Sequence, residues 1–574
     1  MLFTFDDSDK PWLSTYINIL LTIPLCFPPS SRLHNPIQFY NLNHIQLACP
    51  TSRKMAPILP VEIILSIAAY LDCQEQYALL RAIPSLASQF TYSRHLLATT
   101  DDNGNNLVHI LAQQGEETLL KSLFPDKDLE TSLISGNIIP RLKQMLLTRS
   151  VNNDGATPLH LAASDGHLGI VDWISKRPDL DLNRQDKSGC TCVERAAKAG
   201  HAEVVSLLLD NPNMTVDWNS NQRSNPLCLA AENGHEATVR MILERHGHRI
   251  SVNSQAAYGI TALTFSVLRG RMAITDLLIQ QKGVNVNAED HLGNSVLHMA
   301  VRSKNQAAIK AILAHPKVNP NMRDWYGHTP LQEAVCIADK TIVELLLQHP
   351  KTDANLGNCK KTTPLIKAVQ ENHDWAVEFL LKWHDIEPDK KDYWGMTALS
   401  WAAFLGRKKM VERLLQLEEV DPNSLDEDGL TPLALCMQMG WPDVAEVLVK
   451  HPYVNINMED DWGWTPLAHA KNAPRSKSVP LMRLLTEHGA TMTLHAEMVV
   501  MFNALVDSDI ALSLVESIIK CKNLEVYMED RFGREKTEQA MNDGERGVRA
   551  LLFRDTRAAR MRRDGIEGML CLEG

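Results

Sequence analysis

The sequence has no long apolar run, no excess of basic charge, few aromatic residues and no ordered cysteine pattern, and each shortage removes a class of protein. The most apolar N-terminal stretch, Tyr16 to Phe27, contains Asn18 and Pro24 and is too short to cross a bilayer. The residues ahead of it include Asp6, Asp7 and Asp9, where a secretory signal would carry positive charge. Neither a membrane nor secretion is expected, and the cytosol or nucleus is. Asp and Glu number 69 against 58 Lys and Arg, a net charge of −11. Nucleic acid is therefore not the expected partner, since phosphate binding relies on clustered cations, whereas a basic partner would be attracted. The 11 cysteines are odd in number and irregularly spaced, which suits reduced intracellular thiols. The one close pair, Cys190 and Cys192, lacks the gap and the second ligand pair of a zinc site and is read as repeat surface. There is no glycine-rich phosphate loop, no Gly-x-Ser-x-Gly elbow and no His-Glu-x-x-His pair. Neither catalysis nor a cofactor or metal is expected.

What the chain does have is a period. Aromatics make up only 6% of it, but 44% of residues are hydrophobic, enough to fold. At 574 residues it exceeds what a single core supports, so it divides into domains or extends as an array. Thr157-Pro158-Leu159 recurs every 34 residues, as Thr191-Cys192-Val193, Asn225-Pro226-Leu227 and so on to Thr465-Pro466-Leu467, with one step of 36 between Asn225 and Thr261. Thr or Ser is a good helix N-cap, and Pro at the first helical position loses an N–H that would be unpaired anyway. A helix is therefore predicted at each recurrence. Leu159, Ala162 and Ala163 share one face, and the small side chains let neighbouring helices approach. Gly166, Gly200 and Gly234 end the first helix of their units by entering the left-handed region. A second helix follows through Ile170, Val171 and Ile174, and then a turn rich in Asp, Asn and Gly from Asp179 to Gly189. Such a hairpin has too little core to stand alone, so each unit leans on its neighbours. The histidines fall at fixed repeat positions, among them His160, His298, His167, His201 and His235, and are expected to bond loop backbone.

The unit resembles the ankyrin repeat, whose T-P-L-H-x-A pattern is matched by Thr157-Pro158-Leu159-His160-Leu161-Ala162 over about two thirds of the chain. The resemblance implies an all-α ankyrin-repeat α-solenoid of about 12 helix-turn-helix units that binds other proteins. An earlier unit begins near Asn103-Gly104, and Leu129 to Leu147 reads as a degenerate one. Residues 101–493 form the solenoid on this reading, 494–521 a C-terminal helical cap, and 522–574 a charged, weakly ordered tail.

Residues 55–97 break the period. Leu59, Pro60, Ile63, Ile64, Ile67 and Leu71 lie on one stripe of a short helix, with a second helix through Leu79, Leu80 and Ile83. The opening Leu59-Pro60-Val61-Glu62-Ile63-Ile64 is similar to an F-box, which implies docking onto a Skp-family adaptor of a cullin-type ubiquitin ligase. The alternative is a plain helical cap on the first repeat. Residues 1–54 follow no pattern and are expected to be disordered or to precede the true start at Met55.

Turn tips line up in an ankyrin stack, and at three of them Trp325 with Tyr326, Tyr393 with Trp394, and Trp462 with Trp464 flank a glycine. These six side chains are expected to face solvent and to anchor a partner, with packing between neighbouring tips as the alternative. Acidic residues gather nearby, among them Asp426, Glu427, Asp428, Glu459, Asp460 and Asp461. They suit a basic segment of a partner, or Arg554, Arg557, Arg560, Arg562 and Arg563 of the chain's own tail, unless they serve to bond turn amides. The chain is expected to act as a monomer, either as a ubiquitin-ligase substrate receptor or as a scaffold without that link.

Overall fold

The computed structural model describes residues 71–87, 99–125, 144–177, 179–216, 225–247 and 250–492, together with Ala68 and Gln539. These residues are helical, with only three isolated β-bridges among them, at the roots of hairpin turns. The F-box-like residues Leu59, Pro60, Ile63, Ile64 and Ile67, the cap 494–521, the arginine-rich tail and most of the degenerate unit 129–147 lie outside the described residues.

Each repeat begins as its residues dictate. Thr157 caps Pro158–Ser164, its hydroxyl accepting the amide of His160, and Ser295 and Thr329 do the same for Val296–Arg302 and Pro330–Cys336. In the first two, the histidine three residues in completes the cap and reaches onward to the following hairpin, and in the third Gln332 does so. His160 Nε2 bonds the carbonyl of Arg184 at 3.0 Å, and His298 Nε2 that of His328 at 3.0 Å. A carbonyl can only accept, so the proton sits on Nε2 and Nδ1 receives the cap. Burial holds the His160 imidazole down to about 4, so the ring stays neutral. The left-handed turn after the first helix falls where expected, at Gly200 and Gly234, and even where the residue is Lys304, Ala338 or Asn372.

The chain divides into two units. The first comprises residues up to 217 with 237–246. In it the first helices Leu107–Gln113, Pro158–Ser164 and Cys192–Ala199 stack in succession, as do the second helices Leu168–Ser175 and Ala202–Asp210. Helix Cys73–Ala82 packs on Leu107–Gln113, with Cys73, Leu79 and Leu80 buried and Cys73 Sγ donating to the Asn105 carbonyl. That segment therefore covers the edge of the first repeat. Cys192 is fully buried beneath its helix, which corrects its reading as a surface residue.

The second unit holds 218–236 and the residues from 247 onward. Its first helices follow one another from Pro226–Asn233 to Pro466–Lys471, and Arg475–Glu487 closes the described part against the last of them. A column of asparagines stitches consecutive loops. Asn287 Nδ2 donates to the Lys317 carbonyl while its Oδ1 accepts the Asn319 amide, and Asn253, Asn321, Asn355, Asn423 and Asn457 make the same two bonds in their own repeats. One member departs. Asp389 accepts the Asp421 amide at 2.6 Å, but its buried Oδ1 meets no donor.

Candidate protein-binding face

Within the second unit, each hairpin tip from Asp290 onward is built around one Asp or Asn, whereas the Tyr258 tip has Ala256 in that place. Asp324 Oδ1 accepts the amides of Tyr326 and His328, Asp392 those of Trp394 and Met396, and Asp460 those of Trp462 and Trp464. This cage folds the chain back on itself and points the two residues after the Asp outward. Gly327, Gly395 and Gly463 follow with φ near +75°, a region that strains any residue with a Cβ. Lys361 takes that position with φ +56°.

The tips are joined edge to edge. Trp325 donates its amide to the Leu292 carbonyl at 2.8 Å, Tyr393 to Lys360 at 2.8 Å and Glu427 to Trp394 at 2.9 Å, with Cys359 and Asp461 continuing the series. The outward side chains thus form one ordered row. Trp325 is 72% exposed, Tyr326 71% and Tyr393 59%. Trp394 is half-buried, with Tyr393 against it edge-on, Trp401 beneath and the Lys360 ammonium 5.7 Å from its ring. Sequence reasoning overlooked Tyr258, 75% exposed, and Leu292, 54% exposed, which extend the same row by two tips. Their spacing of 34 and 68 from Tyr326 was the available signal.

Two residues expected to face solvent do not. Trp464 is only 8% exposed and packs with Ala468, with Trp462 and Met492 resting on that core. A tryptophan two positions further from the caging Asp than Trp462 turns inward, because the hairpin reverses at Gly463. Asp460 is buried too, and its second carboxylate oxygen meets His469 Nε2 at 2.8 Å. Both are parts of the tip's foundation rather than contact residues. Asp392 has the same second bond from the Trp401 indole N–H at 2.7 Å, yet burial still pushes its carboxyl up to about 6. At Asp426 the corresponding residue is Leu435, which has nothing to donate. Burial, opposed by the Leu430 and Asp428 amides but reinforced by the charges of Asp428 and Asp460, pushes Asp426 up to about 7. Glu427, Glu459 and Asp461 remain exposed and Asp428 half-buried.

Among the described residues, no group of three or more His, Cys, Asp or Glu could hold a metal ion, and no helix is long and apolar enough to cross a membrane.

Comparison with protein families agrees with this architecture. The family described as "Ankyrin repeats (3 copies)" matches residues 65–216, 178–255, 227–324, 313–392, 331–425 and 399–496. Among solved structures, the ankyrin repeat domain of Bcl-3, a member of the IkappaB protein family, is similar at 24% identity and a TM-score of 0.37. The similarity covers 40% of this chain and 99% of that one. No curated protein matches the chain. Matched over more than half its length by repeats whose caps, bridging histidines and caged tips are all in place, the chain belongs to the ankyrin-repeat family, whose role is protein–protein interaction.

Proposed function

We propose that this protein holds a protein partner on the tip row of its second unit and works as a substrate receptor for a cullin-type ubiquitin ligase. The observation that carries the first half is the exposure of Trp325, Tyr326 and Tyr393 on tips fixed by backbone bonds. Large aromatic rings left in water on a rigid frame lose little entropy on binding and bury much surface. A basic segment of the partner complements Glu427, Asp428, Glu459 and Asp461. The test is affinity capture with the full chain and with its Trp325→Ala/Tyr326→Ala/Tyr393→Ala variant. Proteins recovered by the first and lost by the second, at equal thermal stability, support the assignment; identical recoveries refute it.

The ligase half rests on the F-box-like Leu59-Pro60-Val61-Glu62-Ile63-Ile64 segment standing ahead of the repeats. In this reading 55–97 engages a Skp-family adaptor, 101–493 holds the target, 494–521 caps the stack and 522–574 is a charged tail. Purified adaptor should bind the full chain and lose binding on Ile63→Asp or Leu71→Asp. Failure of the wild-type chain to bind leaves a scaffold without a ligase link, which the packing of Cys73–Ala82 against the first repeat favours. The odd number and irregular spacing of the cysteines support placement in the cytosol or nucleus. The receptor would act as a monomer.

A further inference from the structure

The tip row is not uniform in charge, and this gives it a direction. Along the stitched tips, the outward positions run from Trp325 and Tyr326 through Cys359 and Lys360 to Tyr393 and Trp394, and then to Glu427 and Asp428, with Lys361 beside Lys360 in the glycine position of its turn. The carboxylates of these first tips belong to their cages: Asp324 and Asp392 are buried, each with Oδ1 accepting two turn amides, while Oδ2 of Asp392 accepts the Trp401 indole and that of Asp324 lies 3.6 Å from Arg302. Lys361 is exposed, and neighbouring Lys391 reaches along the row to the Leu425 carbonyl at 2.7 Å. The aromatic half is therefore cationic at its surface. The change of sign comes between Trp394 and Glu427, which are joined directly by a backbone bond of 2.9 Å.

Resting on the reading above, we infer that the row binds one extended peptide of opposite polarity. Its acidic cluster lies over Lys360 and Lys361, its basic cluster over Glu427, Glu459 and Asp461, and its apolar side chains meet Trp325, Tyr326 and Tyr393. Neighbouring helices pack about 8–10 Å apart, so the four steps from Trp325 to Asp461 cover about 32–40 Å. An extended chain advances about 3.3 Å per residue, so the segment is about 10–12 residues long. The two poles are about 20 Å apart, beyond the Debye length of about 8 Å at physiological salt. Each pole thus selects its own end of the peptide, and a peptide laid in reverse places like charges together at both ends. Lys361 supports this selection from the protein's side. It occupies a left-handed position held by glycine in the tips on either side, so its side chain is present at a backbone cost.

The test is selection of a random twelve-residue display library on the full chain, followed by anisotropy titration of the enriched peptides. Enriched sequences are expected to hold acidic and basic residues in separate clusters with apolar residues between or beside them. Lys360→Glu/Lys361→Glu should weaken such a peptide at least tenfold, and changing its acidic cluster to lysine should restore binding to that variant, which also shows the variant to be folded. Enriched peptides that are purely basic or of alternating charge, an unaffected Lys360→Glu/Lys361→Glu variant, or a selection that enriches nothing each overturn the polarity. Two failures remain distinct. Peptides lost on Trp325→Ala/Tyr326→Ala/Tyr393→Ala but without charge order refute the polarity alone, whereas peptides that still bind that variant refute the tip row as the binding face.

Discussion

Replacing Asp389 by Asn should stabilise the protein, against the general trend of substitutions at buried polar sites. In the asparagine column, Asn457 apart, each side chain donates to a carbonyl 30 residues on and accepts an amide 32 residues on, as Asn355 does to Asp385 and from Glu387. By that register the carbonyl opposite Asp389 is that of Glu419, and a carboxylate presents it with an acceptor instead of a donor. Asp389 Oδ1 is buried without a bond, and burial, reinforced by the Asp421 charge against the pull of the Asp421 amide and Lys391, raises its carboxyl above the ordinary range. Leaving a buried acceptor unmet costs about 1–3 kcal/mol, and a regained hydrogen bond contributes about 1 kcal/mol. Asp389→Asn should therefore gain about 2 kcal/mol at neutral pH, visible as a rise of several degrees in the thermal midpoint and as slower hydrogen exchange at the Asp421 amide. The gain should depend on pH in a definite sense. The folded state holds the proton more tightly than the unfolded chain, so the cost of the charge is fully present above the raised pKa and vanishes below the ordinary 3.8. A protonated Asp389 can itself donate, and the gap between the two proteins should close on acidification. An Asn variant no more stable than the parent at pH 8, or a gap that stays constant from pH 8 to 4, would refute this account.

Asp426→Asn should act similarly, in a higher window. The parent gains stability as pH falls from about 7 towards 3.8, because Asp426 takes up its proton in the folded state first. The variant keeps the amide cage, as Asn358 does in its own tip, and should be about 1–2 kcal/mol more stable above pH 7, where water at the half-exposed tip screens part of the charge. Urea titrations of parent and variant at pH 5 and 8 measure the difference. Trp464→Ala should cost about 3 kcal/mol through the cavity it leaves, while Trp325→Ala should fall within about 0.5 kcal/mol of the parent; equal effects in denaturant melts would contradict the burial of one and the exposure of the other. Lys361→Gly should gain about 0.5–1 kcal/mol by relieving the left-handed backbone while weakening the selected peptides. A loss of stability in the same melts would show that the lysine supports the tip.

The architecture was legible in the residues because its signals are local. A threonine cap, a proline in the first turn and a glycine after the last act within one turn of helix, and they repeat every 34 residues, so the hairpins and their succession follow from the sequence. The bridging role of His160 and His298 was legible for the same reason: one ring nitrogen is committed to its own cap, and the other has to reach outward. The asparagine column was equally present, at Asn253, Asn287, Asn321 and Asn355, but its meaning is a pair of bonds across 30 and 32 residues, which no local pattern announces.

The direction of each side chain at the tips was settled only in three dimensions. Trp462 and Trp464 are two residues apart and chemically identical, yet the reversal at Gly463 buries one and leaves the other on the rim. The acidic residues divide in the same way: Asp460 serves its own turn, while Glu427 and Asp461 face solvent. Composition and spacing determined that this chain is a stack of paired helices carrying aromatic and acidic tips. Which of those groups a partner can reach depended on the folding of each hairpin, because burial comes from residues that are distant in sequence and adjacent in the stack.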